Sequence, residues 1–300
     1  MADDILTTPY QTYHRKSYAA IDPTQPALST KSKSAVVTGA GSGIGASIAV
    51  SLAKSAISYI ALIGRREHAL QKTKLAIEAV STSTKVYVYT LDITDPTATN
   101  EALNAFAEKC ASGKIDILVA NAGSLGPLSS IRDANPTEWW NGFEINIKGN
   151  FNLIQAFLPR ANTASAIIHI SSAAIHGPYF PKESSYCASK IGAAKLFQYV
   201  HYEHPEIFVL CLQPGLVGET EMSAGFENIA KGMQIEMADL PWDDADLPAD
   251  FVVWAVSSEA RFLNGRFVWV NWDVNELKDD KDTILANPTK FTLGLIGSSS

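Results

Sequence analysis

The amino-acid sequence predicts one α/β domain: a doubly wound, Rossmann-type sheet of seven parallel strands with helices on both faces. Three observations lead there. Short β-branched, apolar runs alternate with helical stretches along most of the 300 residues. Those runs are apolar on both faces, as strands covered by helices on either side must be. A glycine-rich turn, Gly39-Ala40-Gly41-Ser42-Gly43-Ile44-Gly45, joins the first run to a helix.

Residues 1–33, rich in Thr, Ser, Pro and Tyr and without a period, read as an N-terminal arm, extended or partly disordered. Strands are expected at 35–38, 59–63, 86–90, 115–120, 166–170, 207–212 and 267–270. Helices are expected near 44–55, 67–80, 96–111, 136–158, 186–203 and 248–258. The domain is expected to span 34–275, with residues 276–300 as a C-terminal tail. Between 215 and 248 the rhythm breaks into a long acidic stretch with Pro241 and Pro248, read as a loop or lid. In such a sheet, ligands sit beyond the carboxyl ends of the strands.

Composition narrows the function. The net charge is −7, from 31 acidic and 24 basic residues, with no Lys/Arg run, which argues against nucleic acid as partner. No apolar run approaches the roughly 20 residues that cross a bilayer, and residues 1–18 lack the apolar stretch of a secretory signal. Cys110, Cys187 and Cys211 are odd in number and match no zinc spacing, so no metal and a reduced, cytoplasmic compartment are expected. The acids from Glu236 to Asp250 likewise lack regular ligand spacing and read as a solvated lid.

Two clusters carry chemistry. The glycine turn lets the backbone approach a pyrophosphate closely, while the helix starting near Ile44 aims free N–H groups at it. At the end of the second strand, where a carboxylate would bind both ribose hydroxyls of NAD, stands Gly64-Arg65-Arg66. Arg65, with Ser42 in the turn, favours a 2′-phosphate, hence NADP(H). Further on, Tyr186 and Lys190 lie four residues apart, on one helix face. A free phenol titrates near ~10. An ammonium about 4 Å away, at an effective dielectric of ~20, is worth roughly 4 kcal/mol and would lower that value by up to about three pH units.

Thr38 with the glycine turn, Asn121-Ala122-Gly123 after the fourth strand and Tyr186-Cys187-Ala188-Ser189-Lys190 together resemble the short-chain dehydrogenase/reductase family across residues 34–275. The resemblance implies an oxidoreductase that moves a hydride between NADP(H) and a carbonyl or alcohol. It implies a small-molecule carbonyl substrate and a homodimer or homotetramer. Tyr186 would be the general acid/base, and Lys190 would tune it while also touching the cofactor. Ser172, 14 residues before Tyr186, would donate to the substrate oxygen, with Ser171 as its rival, and Asn146 would hold a water linking Lys190 to solvent. Thr38, Gly39, Gly41, Ser42, Gly43, Ile44 and Gly45 would hold the pyrophosphate side, and Asp92 and Ile93 the adenine. Asn121, Ala122 and Gly123 would lie along the cofactor, with Pro214, Gly215, Val217 and Thr220 near the nicotinamide. The chain departs from the family's Asp-Gly-Gly turn at Val270-Asn271-Trp272-Asp273; this and the long arm resemble fungal members.

Two other functions remain compatible with these residues: a dehydratase, epimerase or cyclase on the same site, and a non-catalytic NADP(H) sensor. The intact Asn146, Ser172, Tyr186 and Lys190 set speaks against the sensor. Tyr179, Phe180, Met222, Phe226 and Met233 suggest a hydrophobic ketone. Cys187 and His169 read as packing residues, and His176 as a residue near the pocket.

Overall fold

In the computed structural model, residues 8–294 are described, apart from 178, 219, 221, 223, 224, 226, 228, 229 and 232–235. Phe226 and Met233 therefore lie outside the described residues. Seven strands form one sheet: β1 Ser34–Thr38, β2 Tyr59–Gly64, β3 Lys85–Thr90, β4 Ile115–Ala120, β5 Ala161–Ile170, β6 Phe208–Gln213 and β7 Arg266–Trp269. Their order is β3-β2-β1-β4-β5-β6-β7, and every neighbouring pair is parallel. The chain winds one way from β1 to β3 and the other way from β4 to β7, so the crevice opens above β1 and β4.

Alternation along each strand sends neighbours to opposite faces. Val37, Leu62, Val119 and Ile168 join one core with Ile48 and Leu52 of helix α1 (Gly43–Lys54) and Trp254 of a later helix. Val36, Ile63, Leu118 and Ile167 join the other with Phe106, Phe157 and Phe197. The remaining helices are α2 Glu67–Val80, α3 Pro96–Lys109, α4 Pro136–Phe143, α5 Asn150–Phe157, α6 Ser184–Glu203, α7 Asp246–Ala255, α8 Val274–Asp279 and α9 Lys281–Ala286.

Three elements differ from expectation. The helix expected over 136–158 is broken by a π-helical turn, Glu144–Gly149, between α4 and α5. There the Asn150 side chain donates to the Asn146 carbonyl at 2.8 Å. Such turns often mark functional positions. Strand β5 starts earlier than its apolar run, pairing Ala161 with Ile115 before a register shift; its first four residues are partly or fully exposed. Helix α7 begins at Asp246, and the stretch before it is tied down by a bridge between Val217 and Asp243.

The arm is packed along residues 8–33. Turns at Ala19–Ile21 and Pro26–Leu28 bury Ile21 and Leu28 completely. Tyr13 bridges Trp272 in antiparallel sense, His14 N–H donates to the Asn271 carbonyl at 2.8 Å, and Asn271 Nδ2 returns a bond to the His14 carbonyl at 2.8 Å. Among the described residues no helix is long and apolar enough to cross a membrane.

Candidate active site

The β1–α1 turn is built around Thr38. Its hydroxyl accepts from the backbone N–H of Asn121 (3.1 Å) and Ala122 (3.0 Å), while Asn121 Nδ2 donates to the Thr38 carbonyl at 2.9 Å. This locks the loop after β4 against the turn. Gly39 takes φ +64°, and a side chain at Gly45 would meet the Gly39 carbonyl oxygen and, at 2.5 Å, Asn121 Nδ2. Only glycine fits there. Ser42 caps α1 without spending its side chain on the helix, so the first-turn N–H groups face the crevice.

Gly39, Ser42, Gly45 and Asn121 line a cavity of about 190 Å³ with Gly41, Gly43, Ile44, Arg65, Arg66, Asp92, Ile93, Ala122 and Gly123, while Thr38 stays behind it in the core. A crowded glycine backbone beside a helix N-terminus suits the pyrophosphate of a nicotinamide dinucleotide. At its rim Arg66 Nη2 donates to Ser42 Oγ at 3.3 Å. Sequence reasoning named Arg65, which is exposed on the same rim; Arg66 is the one that reaches the turn. Asp92 Oδ1 accepts from the N–H and hydroxyl of Thr94, each at 2.9 Å. Ile93 is buried against Gly149.

A second cavity of about 460 Å³ opens from the first, the two sharing Ile44, Asn121, Thr220 and Met222. Tyr186 and Lys190 line it, both buried. Lys190 Nζ donates to the Ile170 carbonyl at 2.9 Å and stands 5.8 Å from the centre of the Tyr186 ring. Ser172, two residues past β5, lines the same cavity, and its hydroxyl accepts from Ala174 N–H at 3.1 Å. The Tyr186 hydroxyl donates to Met222 Sδ at 4.0 Å, and the Ser171 hydroxyl is buried without a partner. Asn146 sits one layer behind, its side chain bonded to both backbone groups of Ser124 (2.8 Å each) and to Ser189 Oγ (2.9 Å). A side chain on Gly123 would lie 3.1 Å from Asn146 Oδ1 and 3.4 Å from Lys190 Nζ, so the four elements meet at one point.

The electrostatics reverse one expectation. Burial pushes the Tyr186 phenol up to about 12, opposed by the nearby Ser172 side chain, instead of Lys190 drawing it down. Lys190 is itself desolvated and pushed down to about 8. Spacing put the two side chains on one face but could not show that both are buried and that the ammonium is turned to Ile170.

Pro214, Gly215 and Val217 line the larger cavity, as do Phe180 and Met222; Tyr179 is exposed outside it. Gly215 takes φ +85° beside Asp243, whose carboxylate accepts from Leu216 N–H at 2.6 Å. The acidic stretch is only partly solvated: Asp243 and Asp250 are buried, the first paired with Arg15 and the second bonded to Ser17 and Ser51. His169 stacks on Phe197 in the core, and His176 accepts from Trp269 Nε1 at 3.2 Å. Lining residues that sequence reasoning did not name individually include Glu183, Tyr13 and Arg15. Glu183 is only 4% exposed, and burial raises its carboxyl to about 7. Its place three residues before Tyr186 at a helix start was a readable signal; the arm offered none.

The chain matches the family model described as short chain dehydrogenase over residues 33–229. It is 32% identical over 282 residues to "Short chain dehydrogenase pigC" of Monascus ruber, covering 91% of this chain and 89% of that protein. To a "Short chain dehydrogenase/reductase" of Claviceps purpurea (strain 20.1) it is 30% identical over 295 residues, 97% and 95% of the two chains. A solved short chain dehydrogenase from Burkholderia cenocepacia J2315, in complex with NADP, superposes with a TM-score of 0.71 at 26% identity, covering 82% of this chain and 99% of that one. The chain belongs to the short chain dehydrogenase family, an oxidoreductase family whose members bind a nicotinamide cofactor.

Proposed function

We propose that this protein is an NADP(H)-dependent reductase of a largely apolar ketone, with residues 34–275 as its oxidoreductase domain between the arm (1–33) and the tail (276–300). The carrying observation is that Tyr186, Ser172 and Lys190 line one cavity that shares residues with the glycine-lined one, with Lys190 Nζ 5.8 Å from the centre of the Tyr186 ring. Gly39, Gly41, Gly43 and Gly45 with Asn121, Ala122 and Gly123 would hold a reduced nicotinamide cofactor, which would supply a hydride to the carbonyl carbon. Tyr186, neutral because it is buried, gives its hydroxyl proton to the carbonyl oxygen. Ser172 orients the phenol and donates to the same oxygen as charge develops there. Lys190 holds positive charge beside the resulting phenolate, and Asn146 braces Gly123 and the start of the proton path to solvent.

A preference for NADP(H) is supported by Arg65, Arg66 and Ser42 at the rim, and by the NADP held in the Burkholderia cenocepacia relative. A homo-oligomer is supported by exposed Trp140, Phe151, Ile191 and Tyr199, and a reducing cytoplasm would favour the reductive direction. Tyr186→Phe should retain NADPH binding by fluorescence titration and lose at least about 99% of ketone reduction; unchanged turnover overturns the assignment.

One observation favours a second reading. Glu183 places a buried carboxyl of pKa about 7 one helical turn from Tyr186, which suits proton transfer in a dehydratase or epimerase. Conversion of substrate without net change in absorbance at 340 nm would select it.

A further inference from the structure

The family model begins at residue 33, so the arm precedes the segment that model matches, while the Claviceps purpurea relative aligns over 97% of this chain and so into the arm. The arm reaches the larger cavity. Its backbone is held on both sides of residues 13 and 14 by Trp272 and Asn271, and His14 Nε2 meets Asp273 Oδ2 at 2.8 Å. Tyr10 and Ser17 extend the anchoring, to Asp280 at 2.8 Å and to Asp250 at 2.5 Å. Between these anchors, Tyr13 and Arg15 are delivered to the cavity lining, with Arg15 joined through Asp243 to the loop of Pro214 and Gly215.

Arg15 is fixed there. One nitrogen, Nη1, meets Asp243 Oδ1 at 3.3 Å and the Pro241 carbonyl at 2.5 Å, and the guanidinium carbon stands 5.1 Å from the Tyr13 ring centre. Asp243 in turn holds Leu216 N–H, so arm and loop are braced through one buried carboxylate. A guanidinium carries five N–H donors, and the recorded bonds of Arg15 use Nη1 alone. Burial raises the Tyr13 phenol above its ordinary value, so it too stays a donor. The wall supplied by the arm is thus an aromatic ring plus hydrogen-bond donors, in a pocket whose other polar groups include Ser172, Glu183, Tyr186 and Lys190.

We propose that the arm is a built-in wall of the substrate site, in which Tyr13 and Arg15 select ring-bearing ketones with an acceptor oxygen remote from the reacting carbonyl. This rests on the ketone-reductase reading of the same cavity. Both residues determine specificity and take no part in the hydride or proton transfer.

The test compares cyclohexanone, 2-tetralone and 6-methoxy-2-tetralone with NADPH in the full-length protein and in Tyr13→Ala, Arg15→Met and Arg15→Gln, the last keeping an N–H for Asp243. Calorimetric titration of 6-methoxy-2-tetralone into the NADP-loaded proteins gives a second readout that needs no turnover. The wild type should favour 6-methoxy-2-tetralone. Tyr13→Ala and Arg15→Met should weaken its binding and raise its KM about tenfold, leaving kcat, cyclohexanone turnover and NADPH affinity within twofold, and Arg15→Gln should fall between. Binding that tracks the variants without any reduction would sustain the wall and refute the reductase reading. Selectivity and binding unchanged in every variant with a wild-type melting temperature, or no wild-type preference among the ketones, would overturn the proposal.

Discussion

Replacing Lys190 with Met should cost activity while adding stability, and the size of the gain should depend on pH. Lys190 is buried, with its folded pKa about 8 against an ordinary value of 10.5. Because the folded pKa is depressed, the unfolded chain binds the extra proton between these values, so wild-type stability rises as pH climbs through that window. At pH 7 holding the ammonium inside costs about 3 kcal/mol relative to the unfolded chain, and at pH 9 about 2 kcal/mol. Methionine removes this penalty but leaves the Ile170 carbonyl without its 2.9 Å donor, a loss of about 1–3 kcal/mol that does not vary with pH. The difference between pH 7 and pH 9 is therefore the clean quantity: the stability of Lys190→Met relative to wild type should shrink by about 1 kcal/mol over that range. Urea unfolding at the two pH values measures it. A relative stability that stays constant, or grows, refutes the claim that Lys190 is carried as a strained buried charge. Ketone reduction by the variant should fall by at least about a hundredfold at both pH values.

Other outcomes follow from the same geometry. Gly45→Ala, whose methyl group would press on the Gly39 carbonyl and Asn121 Nδ2, should weaken NADPH binding at least about tenfold and destabilise the fold by about 1–3 kcal/mol, as read by titration and urea unfolding. Arg65→Ala combined with Arg66→Ala should cut the NADPH-over-NADH preference by about 10- to 100-fold in kcat/KM, the worth of one or two charge-assisted hydrogen bonds. Glu183→Gln should abolish any inflection of the pH–rate profile near pH 7, since burial sets that carboxyl at about 7; an inflection that survives belongs to another group.

Apolar runs on both sheet faces marked every strand of the sheet, because burial under helices on both sides leaves a continuous signal at positions such as Val36 and Val37. The start of β5 left no such mark, since residues 161–164 are partly or fully exposed before its buried run begins. The π turn at Asn146 was equally hidden, for it depends on Asn150 reaching back to a carbonyl and on Asn146 bonding Ser124, 22 residues earlier in the chain. Motif spacing assigned Tyr186, Lys190 and Ser172 to one site, and all three line the larger cavity. It gave the wrong direction for the phenol, because spacing carries no information on desolvation. Arg66 and Arg65 were both in view, and only side-chain reach told which one meets Ser42. Tyr13 and Arg15 were out of reach of any local reading, being placed by contacts with residues 271–273 and 243.

That last arrangement bears on how the molecule is made. His14 and Asp273 are 259 positions apart, so during synthesis the segment that emerges early must wait for nearly the whole chain before it finds its seat. Helices and central strands can assemble on the ribosome while the arm hangs loose. The arm docks as a late event, after β7 and α8 have been released, and until then the nascent enzyme has a dinucleotide cradle but an unfinished mouth.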